Sequence, residues 1–211
     1  MTQTIITAGD ASTGLVTAAG NDGTLVLQSG PAGGKVNALS IDAGGNVTPA
    51  ALIGGKQLVL ATAVASTSGT FIDFTGIPSW AKRITVLFNS VSTNGTSLIQ
   101  LQLGSGSIVT TGYSSSGSVV ATGVGSSSST TGLLTSGGTS DAAGTLRSGV
   151  ITLAHVGGNL WVMSSVLGET TATTRFGGGS VQLGGALDRV RVTTVNGTDL
   201  FDFGSINIMW E

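Results

Sequence analysis

The chain contains no cysteine, one histidine, three prolines and few charges. Without cysteine there are no disulfides, no thiolate metal sites and no thiol nucleophile. A single imidazole, His155, excludes any centre that needs two, and the ten acidic residues nowhere cluster densely enough for a calcium site. No apolar run approaches the ~18 residues of a membrane helix, so no membrane insertion is expected. The opening MTQTIITAGD lacks the basic and apolar regions of a secretory leader. Eight basic residues scattered through a chain of pI ≈ 5.2 form no phosphate-neutralising patch, which argues against nucleic acid as a partner. The stretch Gly30-Pro31-Ala32-Gly33-Gly34-Lys35-Val36 is one residue short of a phosphate loop and has Val36 where a magnesium-binding hydroxyl belongs, so no cofactor is expected.

What is present is small and uncharged. Among 211 residues there are 35 glycines with abundant serine and threonine, 40% of the chain is hydrophobic and only 9% is charged. Disordered chains combine low hydrophobicity with high net charge, whereas here the net charge is −2 and mean hydropathy is +0.40. Collagen is excluded because glycine has no period of three. No charged residue falls between Arg83 and Asp141. Apolar strands so lightly guarded by charge point to cover by other copies of the chain.

The pattern predicts an all-β protein in two parts. Residues 1–55 hold short β-capable runs, Leu25–Gln28 and Val36–Ile41, between Gly-rich turns such as Asn21-Asp22-Gly23 and Asp42-Ala43-Gly44-Gly45-Asn46, and no aromatic residue. So few large side chains bury too little area to offset their own ordering entropy. This part is therefore expected to be an extended attachment or stalk segment, ordered against other copies or a larger particle. Every aromatic residue lies in residues 56–211, where alternation is clear: Ile84, Val86 and Phe88 share one strand face, and Ile99, Leu101 and Leu103 alternate with Gln100 and Gln102. Asn94-Gly95, Gly157-Gly158-Asn159 and Asn196-Gly197 each separate two such runs and read as hairpin turns. About eight or more strands then suggest an antiparallel sandwich of jelly-roll type. Residues 104–149, rich in glycine, serine and threonine, read as short strands and long loops at one end of it.

Candidate chemistry is sparse. His155 sits at a strand end, no Gly-x-Ser-x-Gly elbow accompanies it, and Asp10, Asp22 and Asp42 lie at turns, so no enzymatic activity is expected. Asn46-Val47-Thr48, Asn94-Gly95-Thr96 and Asn196-Gly197-Thr198 match the glycosylation sequon but read as turns. Tyr113 and Trp161 lie beside loop-rich ground and suit stacking on a sugar ring; with His155 as a rim residue they form the candidate receptor contact. Core packing is the competing reading for both aromatics and is favoured for Trp161. Arg189 and Arg191 share one strand face, with Asp188, Val190 and Val192 on the other, and pair with acids of a neighbouring strand or a neighbouring subunit. A solvated sheet face is the bland alternative. Trp80 and Trp210 read as core or interface anchors.

The run Phe74-Thr75-Gly76-Ile77-Pro78-Ser79-Trp80-Ala81-Lys82-Arg83-Ile84-Thr85-Val86-Leu87-Phe88, continuing through Ser92–Ser97, resembles the C-terminal domain of tailed-bacteriophage tail fibres. Thr110-Thr111-Gly112-Tyr113, Val190–Val195 and the closing Gly204–Glu211 are similar to later parts of such domains, and Ala8–Leu15 and Ala38–Asp42 to shaft or head-proximal segments. The resemblance implies a homotrimer with a jelly-roll tip on a short stalk, located on the virion tail. It also implies attachment to other virion proteins through residues 1–55 and to a bacterial surface polysaccharide or protein receptor. A capsid decoration, cement or head-fibre protein is the alternative it leaves.

Overall fold

The computed structural model describes residues 16–19, 25–29, 36–41, 44, 47–49, 58–170 and 172–211. The chain divides into two compact units, Met1–Gln57 and Leu58–Glu211, a boundary close to the composition change read at 55/56. No helix occurs among the described residues.

The first unit carries β1 (Val16–Ala19), β2 (Leu25–Ser29), β3 (Val36–Ile41) and β4 (Val47–Pro49) as an antiparallel sheet in sequential order. Its Gly-rich turns, apart from Gly44, and Asp10, Asp22 and Asp42 lie outside the described residues.

The second unit is a β-sandwich of two antiparallel sheets. The smaller sheet contains β7 (Phe71–Thr75), β9 (Ile99–Ser105), β10 (Ser107–Ile108), β13 (Leu133–Leu134) and β17 (Arg189–Thr194). Its order is β10-β9-β17-β7, with β13 also paired to β9. The larger contains β5 (Val59–Leu60), β6 (Val64–Ala65), β8 (Arg83–Thr93), β11 (Tyr113–Val120), β12 (Val124–Ser129), β14 (Arg147–Gly157), β15 (Leu160–Glu169), β16 (Thr174–Gln182) and β18 (Phe201–Trp210). They run β12-β11-β16-β15-β14-β8-β18-β5, with β6 on β18.

Period-two patterning explains why these strands stack. Ile84, Val86 and Phe88 on β8, Ile151 and Leu153 on β14, and Ile206 and Ile208 on β18 point inward and meet Ile99, Leu101 and Leu103 of β9 and Val190 and Val192 of β17. Each such side chain contributes roughly 1.5–3 kcal/mol by leaving water. Trp80 and Trp210 pack partly buried against this core.

One predicted hairpin forms as read: β14 and β15 pair directly across the Gly157-Gly158-Asn159 turn. The other two do not. β8 and β18 lie in the large sheet while β9 and β17 lie in the small one, so Asn94-Gly95 and Asn196-Gly197 are corners where the chain changes sheets. Asp199 ties the two corners together. Its carboxylate accepts from the Ser97 backbone N–H at 2.8 Å and from the Asn196 side-chain amide at 2.6 Å, and Asn94 Oδ1 accepts from the Leu200 N–H at 2.8 Å. An Asn-Gly pair favours a reversal; which strand follows it is decided by where the next apolar face can be buried.

The Gly-, Ser- and Thr-rich region is ordered by the same core. Tyr113–Val120 and Val124–Ser129 extend the large sheet, and the segment after them returns across its inner face. Leu133, Leu134, Thr135 and Ser136 are buried there. The Leu134 N–H donates to Ser115 Oγ at 2.8 Å, Thr135 Oγ1 donates to the Ile99 carbonyl at 2.9 Å, and Ser165 Oγ donates to the Thr135 carbonyl at 3.2 Å. A β-carbon on Gly117 would lie 2.0 Å from the Ser136 carbonyl oxygen, and one on Gly177 would lie 2.0 Å from that of Leu134. The small residues therefore let backbone pack on backbone, and the Ser115, Thr135 and Ser165 hydroxyls pair with backbone groups that this buries.

Candidate interaction surface

The two outer faces of the sandwich are chemically unlike. On the smaller sheet, cross-strand register places Thr75 beside Arg189 and Asp73 beside Arg191. Arg191 grips Asp73 with two hydrogen bonds of 2.7 Å, and its guanidinium lies 3.8 Å over the Phe71 ring. Arg189 binds Asp188 at 2.7 and 3.0 Å, and this hydrogen bond holds the Asp188 carboxyl below its usual range. Both arginines have an acid partner within the chain: Arg191 pairs with Asp73 of the neighbouring strand, and Arg189 with Asp188 beside it in sequence. Asp188, read on the opposite face, reaches round to Arg189.

The outer face of the larger sheet carries almost no charge. Residues of β11, β16, β15 and β14 that point away from the core are Ser, Thr, Gly, Ala, Gln, Val, Leu and Phe, and the single outward charge on β8 is Arg83 at the rim. Register aligns Ser118, Phe176, Val166, Val150 and Leu87 in one row across five strands. Phe176 is 42% exposed, Val166 51% and Val150 46%. Beside this row a groove of about 310 Å³ opens, floored by Thr85, Thr152 and Met209 and bounded by Leu58, Val150 and the Arg83–Glu211 ion pair.

The three candidate receptor residues do come together, but facing inward. Tyr113 pairs with Val181, Val181 with Trp161, and Trp161 with His155, so one row on the inner side of the large sheet holds all three. Tyr113 and Trp161 are each 3% exposed. Tyr113 is a core residue: its hydroxyl donates to the Val109 carbonyl at 2.8 Å and accepts from the Leu103 N–H at 2.8 Å. Neither ring presents a face to a sugar, which corrects the stacking expectation, and core packing accounts for both. His155 sits at the sandwich end, its ring centroid 5.1 Å from that of Trp161 and its Nε2 2.7 Å from the Gly158 carbonyl oxygen. With Lys82, Asn159 and Leu187 it lines a recess of about 50 Å³.

Burial pushes the Tyr113 hydroxyl up to about 12, against the lowering effect of its backbone bond to Leu103. A group whose folded pKa exceeds its unfolded value near 10 favours the folded state until it ionises there. Its contribution is complete below about pH 10 and is lost as pH rises toward 12. Urea unfolding of Tyr113→Phe at pH 7 is expected to show a loss of about 1–3 kcal/mol, because the Leu103 N–H is left without its acceptor. Between pH 10 and 12 the gap to wild type is expected to narrow.

A feature missed at the sequence level lies inside the sandwich. Arg147 of β14, Glu169 of β15 and Arg175 of β16 project inward from adjacent strands, and Asp141 closes them into a ring. Glu169 Oε1 accepts from Arg147 Nε at 3.0 Å and from Arg175 Nε at 2.5 Å. Asp141 lies 2.6 Å from Arg175 Nη1 and 3.2 Å from Arg147 Nη2. All four side chains are buried, Arg147 completely. Burial raises the Asp141 carboxyl above its ordinary value, although both arginines pull it down. The sequence signal was parity: Arg147 shares a strand face with Ile151 and Leu153, Glu169 with Leu167, and Arg175 with Val181. Two cations and one anion at apolar strand positions announce a buried ion cluster, which Asp141 from outside the strands makes neutral.

Among the described residues no group of histidine, aspartate and glutamate has the arrangement of a metal site. No protein-family model, no curated protein and no solved structure was found to match this chain.

Proposed function

We propose that this chain is a short tail-fibre-like appendage protein of a tailed bacteriophage: a non-enzymatic homotrimer whose sandwich, of jelly-roll type, meets the bacterial surface. The observation that carries this reading is the division at Gln57/Leu58. A small sheet unit drawn from a stretch with no aromatic residue is followed by a sandwich holding all of them. Two independently compact units in so short a chain suit a division of labour, one part held on a particle and the other presented outward. The similarity of Phe74–Phe88 and Gly204–Glu211 to fibre tips supports the same assignment. In this reading the His155 recess, at the loop end with Lys82 and Asn159, is the place for a receptor group.

Incubation of labelled full-length protein with a panel of bacterial strains tests it. Saturable binding to some strains, competed by their purified surface polysaccharide or lost on protease treatment of the cells, is the expected result. Adsorption to none, together with binding to assembled capsids, supports the decoration-protein alternative instead.

A further inference from the structure

We propose that the outer face of the large sheet, across β11, β16, β15, β14 and β8, is an interface with a second copy of this chain. This deepens the self-assembly in the reading above and rests on its premise that the protein is an oligomer. The sandwich itself provides the comparison. One sheet dresses its outer face with Asp73, Arg189 and Arg191, as a solvated surface should be. The other leaves Phe176, Val166 and Val150 bare in a lateral row, with Arg83 at the rim and already paired to Glu211. Depletion of charge with retained apolar side chains is the composition of an interface centre. Runs of exposed apolar strand without gatekeeping charge otherwise invite aggregation.

The size also fits. Five strands about 4.8 Å apart and roughly 30 Å long present on the order of 700 Å². A standard interface takes about 800 Å² from each partner. A neutral face has no counter-charge to seek, so the partner it suits is equally neutral, and the same face on another copy meets that condition. The ridge at Phe176 and Val166 and the groove over Thr85, Thr152 and Met209 lie on this one face, giving a neighbour both a projection and a hollow to engage.

Sedimentation of the full chain across a dilution series tests the inference, with Val166→Glu and the milder Ser164→Lys, both at exposed outward positions. Thr75→Glu on the other sheet serves as control. Wild type and Thr75→Glu are expected to share one oligomeric mass. Each face variant is expected to raise the dissociation constant by about tenfold or more, since a charge forced into a dry contact goes unpaired. Circular dichroism matching wild type confirms that the variants fold. A monomeric wild type overturns both this inference and the trimer. An oligomer unmoved by both face variants overturns the interface alone and leaves the appendage reading standing. A dimer that the variants dissociate upholds the interface and removes the trimer.

Discussion

Arg147→Met is expected to lower unfolding stability by about 3–5 kcal/mol, the usual cost of breaking a buried ion pair from one side. The arginine is fully buried, and its removal leaves Asp141 and Glu169 facing one cation, Arg175, in a space without water access. For a chain of this length that corresponds to a fall in melting temperature on the order of 10 °C. The double variant Arg147→Met/Glu169→Gln restores neutrality, keeps an acceptor for Arg175 and leaves the Asp141–Arg175 pair intact. It is expected to recover at least half of the loss. A double-mutant cycle by urea unfolding measures this coupling directly. Equal losses in the single and double variants would show that the ring does not act as a neutral unit. The ring also fixes a connection: Asp141 belongs to the segment that returns over the sheet, while its partners belong to three adjacent strands. Arg175 Nη1 donates to the Gly137 carbonyl at 3.2 Å as well, so the same guanidinium holds that segment twice.

Gly177→Ala is the second large effect. The added methyl would lie 2.0 Å from the Leu134 carbonyl oxygen and 2.6 Å from Ser165 Oγ. Overpacking a core costs about 1–3 kcal/mol when side chains can shift. Here the obstacle is backbone, and Leu134 is tied to Ser115 and Leu101 is paired to Leu133, so a loss at or above the top of that range is expected. Relief requires the Leu133–Gly138 segment to lift, which hydrogen exchange at the Leu134 and Thr135 amides would report. Gly76→Ala provides the contrast. Gly76 has φ +76° with nothing within 4 Å of the added carbon. Its substitution strains only the backbone and costs about 1–2 kcal/mol. If Gly76→Ala proved the more damaging change, close backbone packing would not be the reason for glycine at Gly177.

These two sites mark where the sequence was legible and where it was not. The inward positions of β8, β14 and β18 could be read directly, because alternation is a property of a single strand. Arg147, Glu169 and Arg175 were equally visible as charges on apolar parity, yet nothing local says that they meet one another. Their contact arises from the β14-β15-β16 register and from Asp141 arriving over the top. The Gly- and Ser-rich stretch reads as short strands and long loops because its side chains bury little; its order comes from hydroxyls and bare backbone fitted to a surface supplied by other strands. Tyr113 and Trp161, placed near loops in the chain, are core residues once β11 and β15 flank β16.

The sequence by itself determined the all-β class, the inward strand faces, the change of character near residue 56 and the exclusion of chemistry that needs thiols or paired imidazoles, since each follows from composition or from a repeat of two. Only the tertiary structure decided which strands adjoin, that two Asn-Gly corners change sheets, and that one outer face is charged and the other bare. Those outcomes depend on register between segments distant in the chain. Register is set by the joint burial of many side chains, which no single segment carries.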